Sequence, residues 1–277
     1  SNKPIDGKEK SYFEKITRYE SIISRPAMEI NSNVTARTFK PVRNSSIESP
    51  FKYVDTWSSR YDIQKINNKL KDEKVAIIGL GGTGSYILDF LSKSPVKEIH
   101  LFDGDKFCTH NAFRAPGAPS IELLSERPDK VSYFANIYSN MKNGIILHEL
   151  FIDEDNIGEL LSNFDFVFLC VDNSNARNLI VNDLVSKNIP FIDTGIGIYV
   201  EDLKISGQVR TSCCLNNGYE NIKQFIPNED IGNNEYKSNI QIAELNALNA
   251  IFAIIKWKQI KGFYSALINY SHSVFSV

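Results

Sequence analysis

Val75-Ala76-Ile77-Ile78-Gly79-Leu80-Gly81-Gly82-Thr83-Gly84-Ser85 joins a short apolar, β-branched run to a cluster of four glycines. The run reads as a buried strand, and the glycines satisfy G-x-G-x-x-G at the opening of a helix. Glycine is required there because the backbone must turn tightly and approach a ligand with no Cβ in the way. A helix that starts at such a turn points unpaired N–H groups and a partial positive charge at whatever docks, which suits a phosphate. Gly79, Gly81, Gly82 and Gly84 are therefore candidate nucleotide-binding residues. Asp103 closes the next apolar run, nineteen residues beyond Gly84, where an acidic side chain can hold ribose hydroxyls.

The rest of the chain fits this start. Strand-like segments at 98–103, 145–151, 164–171, 191–195 and 203–211 alternate with helical ones at 85–94, 130–142, 156–162, 173–188 and 239–261. Residues 266–277 read as extended. The alternation predicts an α/β fold, a Rossmann-like doubly wound and mostly parallel sheet with helices on both faces. Residues 1–60 differ: they are polar, weakly periodic and carry Pro26, Pro41 and Pro50. They read as an N-terminal arm or partial extra domain, helical near 11–23 and extended from Met28 to Phe51, ahead of a main domain at 61–277.

Composition narrows the function. With 42% hydrophobic and 23% charged residues and a net charge of −2, the chain has the make-up of a water-soluble globule, not of a basic nucleic-acid binder. No apolar run approaches the length of a membrane span. Four cysteines (Cys108, Cys170, Cys213 and Cys214) form no Cys-x-x-Cys pair, so neither a disulfide framework nor structural zinc is expected, and a reducing, cytoplasmic setting is.

Three features discriminate among nucleotide chemistries. Asp103-Gly104-Asp105 is followed by Asn111 and Arg114. Lys130 opens a helix, where the macrodipole disfavours a cation. Asp172 and Asn173 follow a buried strand, the usual place for ligands in open α/β sheets. Arg114 and Lys130 suit a polyphosphate, and Asp172 suits Mg²⁺ beside phosphate oxygens. Each also has a plainer reading: Arg114 as a loop residue, Lys130 as a solvated helix residue, Asp172 as a helix N-cap. In a nicotinamide-dependent oxidoreductase, the alternative that the glycine turn alone permits, Arg114, Lys130 and Asp172 have no task.

Taken together, the glycine turn, Asp103-x-Asp105, Asn111-Ala112-Phe113-Arg114, Lys130, and Cys170-Val171-Asp172-Asn173 with Arg177 resemble the ThiF/MoeB/HesA family over about Arg60 to Trp257. This is the adenylating domain shared with ubiquitin-activating enzymes. The resemblance implies adenylation, with ATP and Mg²⁺, of the C-terminal carboxylate of a ubiquitin-like or sulfur-carrier protein by a homodimer. It implies catalytic roles for Arg114, Lys130 and Asp172, with Asp172 as Mg²⁺ ligand. It implies nucleotide contacts from Asp103, Asp105, Asn111 and Asn173, and an orienting role for Arg177. Relatives also use an arginine from an N-terminal arm, for which Arg60 is the candidate, and some use a thioester cysteine, for which Cys213 and Cys214 are candidates. The chain departs from the family in three ways: Ala115 stands where relatives carry Gln, both zinc-binding Cys-x-x-Cys pairs are missing, and 216–238 contains no cysteine. A catalytically inactive scaffold paired with an active partner is the remaining alternative, against which the retained Arg114, Lys130 and Asp172 speak. A tRNA-adenylating relative fits poorly with the absence of basic excess.

Overall fold

The apolar run before the glycines becomes an interior strand, third from one edge, of a seven-stranded sheet. The computed structural model describes residues 7, 9–46, 48–215, 218–227, 240–266 and 270–277. The strands are β1 (Lys74–Ile78), β2 (Glu98–Phe102), β3 (Ile145–His148), β4 (Phe166–Leu169), β5 (Phe191–Glu201), β6 (Lys204–Cys214) and β7 (His272–Ser276). They lie in the order 3-2-1-4-5-6-7. Neighbours from β3 through β5 are parallel, and β6 and β7 add antiparallel edges. The direction of winding reverses between β1 and β4, which leaves a crevice at their carboxyl ends.

The longer helices are α1 (Tyr12–Ile30), α2 (Gly82–Ser92), α3 (Lys130–Tyr138), α4 (Ser174–Ser186) and α5 (Ala243–Ile260). Side chains of a strand alternate between faces, and β1 shows the consequence. Val75 and Ile77 join a core built from α2, α3 and α5, including Ile87, Phe134 and Trp257. Ala76 and Ile78 join a second core with Ile180, Val181 and Leu184 of α4. Burial on both faces explains why β1 and β4 read as unbroken apolar runs.

Several boundaries differ from the sequence reading. α1 continues through Pro26 to Ile30 and closes with Asn31 N donating to Ala27 O at 2.9 Å. The expected extended segment therefore begins three residues later than Met28. α2 starts inside the glycine cluster, at Gly82. β5 does not stop at Gly195: it continues to Glu201, turns at Asp202 and Leu203 with φ of 48° and 59°, and returns as β6. Two central residues at positive φ match the twist of a tight hairpin. The helix expected from Asn239 begins at Ala243, and Asn239 itself lies outside the described residues.

The chain divides into two compact units, Ser1–Val42 and Arg43–Val277. In the first, Ser11 caps α1 by accepting from Glu14 N. The second takes in 43–60 together with the sheet. There Phe51 is buried, and Lys52 N and Asn143 N donate to Met141 O and Pro50 O, each at 2.9 Å. Among the described residues, no helix is long and apolar enough to cross a membrane.

Candidate functional site

Each glycine of the turn meets a different constraint. Gly79 has φ +92°, and a Cβ there would sit 2.7 Å from Cys170 O at the end of β4. A Cβ at Gly84 would fall 1.9 Å from Gly79 O, so the turn closes only without a side chain. Gly82 lies under Asn246 of α5, whose Nδ2 would be 2.0 Å from an added Cβ. Gly81 is different: its nearest neighbour would be Gln241 Oε1 at 4.0 Å, leaving the front of the turn open. Gly81 is also the N-cap of α2, and no side chain among the described residues caps that first turn. Backbone donors at an uncapped helix start remain available to an anion.

Asp103 holds this turn in place. Its Oδ2 accepts from Leu80 N at 2.7 Å and its Oδ1 from Asp105 N at 2.9 Å. Lys130, buried at the start of α3, lies 2.7 Å from Asp105 Oδ2 and 3.4 Å from Asp103 Oδ1. Its backbone N–H donates to Asp105 O at 2.9 Å. The cation that the macrodipole disfavours at this helix start is thus neutralised by two carboxylates, and it is buried, not a solvated helix residue. Asn111 is buried, and its Oδ1 accepts from Cys108 N at 2.9 Å, locking the short helix Thr109–Ala112. That lock fixes the segment leading to Arg114.

Arg114 is half-buried, and its Nε is fully enclosed with no hydrogen-bond partner among the described residues. Burial lowers its pKa, while Asp172 and Asp105 act in the opposite direction, so these three charges share one neighbourhood. Asp172 is exposed just beyond β4. It is not the N-cap of α4. That role falls to Asn173, whose Oδ1 accepts from Ala176 N at 2.9 Å. The expected nucleotide contact of Asn173 thus competes with capping, and the Asp172 carboxylate is left at the strand end. Burial, and after it Arg114 and Lys130, hold the pKa of His110 below the usual imidazole value, with Asp105 acting in the opposite direction.

Arg177 does not reach Asp172 directly. Its Nε pairs with Asp193 Oδ1 at 3.0 Å, and its Nη2 donates to Val171 O, the carbonyl just before Asp172. Asp193 is completely buried and also pairs with Arg210 Nη1, 2.7 Å from its Oδ2. Two further residues escaped the sequence reading. Asn246 accepts from Thr83 Oγ1 at 3.2 Å and donates to Arg114 O at 3.5 Å, bridging the turn and the arginine loop. Arg210 belongs to no local motif. Its signal would have been a cation at a strand position facing the interior.

Cys213 and Cys214 sit in β6 within the two cores. Burial pushes their thiols up to about 12 and about 11. A thioester nucleophile needs thiolate and access, so these are core side chains. Most of the segment 216–238 lies outside the described residues. Arg60 is exposed, 5.9 Å from the Tyr61 ring centroid, and is not among the side chains gathered at the strand ends.

A mostly parallel sheet whose switch point carries a glycine turn, an arginine whose Nε is unpartnered among the described residues and an exposed carboxylate defines a Rossmann-like domain with a crevice at that point. The chain belongs to the ThiF family, whose model matches residues 58–271; residues 1–56 match a domain of unknown function, DUF6791. Ubiquitin-like modifier-activating enzyme 5 of Drosophila grimshawi is 30% identical over 165 residues, 54% of this chain and 39% of that one. Molybdopterin-synthase adenylyltransferase of Haemophilus influenzae is 28% identical over 141 residues, 48% of this chain and 54% of that one. The chain therefore spans only part of the length of these relatives. Among solved structures, E. coli MccB with ATP superposes with a TM-score of 0.56 at 19% identity, covering 81% of this chain and 71% of that one.

Proposed function

We infer that the protein is an ATP-dependent adenylyltransferase that activates the C-terminal carboxylate of a ubiquitin-like or sulfur-carrier protein or peptide. The observation that carries this reading is Arg114 Nε, a buried donor with no partner among the described residues, beside an open helix N-terminus and Asp172. An enclosed guanidinium N–H without an acceptor is costly, and a phosphate oxygen would remove that cost. The adenylyltransferase relative and the ATP-bound structural neighbour support the same nucleotide.

The chemistry follows from charge. A C-terminal carboxylate, with a pKa of about 3.5, is already ionised at neutral pH and needs no general base. The barrier is its approach to an anionic α-phosphate while pyrophosphate leaves. Arg114 would stabilise charge on the phosphates. Lys130 would join it by exchanging Asp105, its more exposed partner, for a phosphate oxygen. Asp103 and Asn111 would keep the turn and the Arg114 loop in register, and Gly79, Gly81, Gly82 and Gly84 would admit the phosphates. Asp172 would hold Mg²⁺, which would supply positive charge to offset that of the phosphates. Among the described residues no group of three or more His, Cys, Asp or Glu could hold a metal alone, so the ion would depend on nucleotide oxygens.

The four free cysteines support a reducing cytoplasm. The exposed aromatics Tyr53 and Trp57, which border an apolar cleft of about 570 Å³ with Ile251, support a homodimer. Sedimentation would then give twice the 31.4 kDa chain mass. The reaction is tested by ATP–pyrophosphate exchange with acetylated octapeptides ending in Gly-Gly, as free acids and as amides. The acids support exchange, the amides do not, and Lys130→Ala or Asp172→Ala lowers it by about 100-fold or more. Exchange that is indifferent to both substitutions contradicts the mechanism.

A further inference from the structure

β5 pairs with β4 only as far as Asp193 and then continues through eight more residues to Glu201, paired among the described strands with β6. At about 3.3 Å per residue, the hairpin stands some way beyond the carboxyl ends of β1 and β4, beside the loop that carries Asp172. One face of it is covered: Ile198 and Val209 pack with Leu245 of α5. The other face carries Asp193, Gly195, Gly197 and Tyr199, opposite Ser212, Arg210, Gln208 and Ser206. Past Gly195 that face is open, with Gly197, Tyr199 and Gln208 exposed.

Two independent features of this face lack an explanation among the described residues. A Cβ at Gly197 would meet none of their atoms within 4 Å, and its φ lies outside the left-handed region. Glycine inside a strand carries an entropic cost and marks a place where another backbone or a ligand comes close. Next to it, Arg210 lies flat on Gly195, where a Cβ would be 2.6 Å from its Nε. Arg210 Nη1 donates to Ser212 Oγ at 3.2 Å and lies 2.7 Å from Asp193 Oδ2, an ion-pair contact without hydrogen-bond geometry, whereas Nη2 is enclosed with no hydrogen-bond partner among the described residues. One fully buried carboxylate is thus shared by two guanidinium groups, Arg177 and Arg210. Among the described residues these three side chains carry one positive charge in excess, and a largely enclosed excess charge is unfavourable until an anion joins it. Because Arg177 also grips Val171 O, the cluster lies under the strand end where the reaction is assigned.

We propose that Arg210 is a specificity-determining residue that binds a carboxylate in the terminal segment of the substrate chain, with Gly195 and Gly197 forming the track on which that segment lies. This rests on the adenylation reading and adds to it the residue that selects for an anionic chain end. The carboxylate is either the one to be activated or an acidic side chain close to it.

The test uses the full chain with Mg²⁺ and a non-hydrolysable ATP analogue. Binding of acetyl-Gly-Gly, its amide, and acetyl-Asp-Gly-Gly-amide is measured by ligand-detected NMR. On the unaltered chain one of the two acids binds about tenfold more tightly than the neutral amide, and which one identifies the source of the carboxylate. Arg210→Gln abolishes that preference, Arg210→Lys keeps part of it, and both leave ATP affinity and the thermal midpoint close to the starting values. Equal binding of acids and amide on the unaltered chain, or a preference that survives Arg210→Gln, overturns the proposal. So does a loss of ATP affinity in Arg210→Gln, because the missing anion is then a nucleotide phosphate. If Arg210→Gln fails to fold, the Arg210→Lys comparison decides. A carboxylate preference that depends on Arg210, in a chain that shows no ATP–pyrophosphate exchange, leaves the site standing and removes the adenylation reading.

Discussion

Cys213 and Cys214 illustrate how burial sets reactivity at the scale of one residue. Both lie in β6 with thiols raised by desolvation, so neither holds appreciable thiolate at neutral pH. Cys213→Ala and Cys214→Ala are each expected to leave ATP–pyrophosphate exchange unchanged while lowering unfolding free energy by roughly 1 kcal/mol, the loss of about one buried methylene equivalent. Exchange assays beside denaturant curves check both. A covalent acyl intermediate that disappears in either variant would instead restore the thioester role. At the same scale, the glycine turn, Asp103 and Arg114 were legible in the sequence because their spacing is local. Arg210 and Asn246 were not, since their partners, Asp193 and Arg114, are brought to them only by the sheet and by the packing of α5.

Among elements, the hairpin β5–β6 departs most from the pattern read along the chain. The sequence reading ends this strand at Gly195, but the backbone passes through Gly195 and Gly197 alike. Their reason lies in what rests on them, Arg210 in one case and the proposed substrate segment in the other. A second element effect concerns the segment after α3, where Lys142 is almost wholly buried and donates to Ser94 O and Val96 O at 3.1 and 2.6 Å. Burial pushes its pKa down to about 7. A lysine whose folded pKa lies below its unfolded one contributes stability that is present at high pH and lost as pH falls through the folded value. Unfolding free energy should therefore rise between pH 7 and 9 by roughly 2 kcal/mol from this group. Lys142→Met should flatten that rise, as urea titrations at the two pH values would reveal; an equal rise in both proteins would refute the assignment.

For the whole molecule, the division between Val42 and Arg43 matters more than the position at which the family match begins. Phe51 is buried and lies 5.1 Å from Lys142 Nζ, so the segment ahead of residue 58 belongs physically to the sheet domain. A fragment of residues 43–277 should unfold cooperatively and bind nucleotide like the full chain. A fragment of residues 58–277 should lose roughly 3–5 kcal/mol, the scale of deleting a core phenylalanine; calorimetry of the two fragments distinguishes the cases. The polar arm composition concealed this, because one well-placed aromatic counts for little in a residue tally. In the adenylation reading, the crevice between β1 and β4 binds the phosphates of ATP through Arg114. Isothermal titration of the full chain with Mg-ATP and with NAD, repeated on Arg114→Ala, decides this. ATP should bind the unaltered chain and bind the variant about tenfold or more weakly, a loss of at least 1.4 kcal/mol, and NAD should not bind. NAD binding without ATP binding, or ATP affinity untouched by Arg114→Ala, would rule that role out.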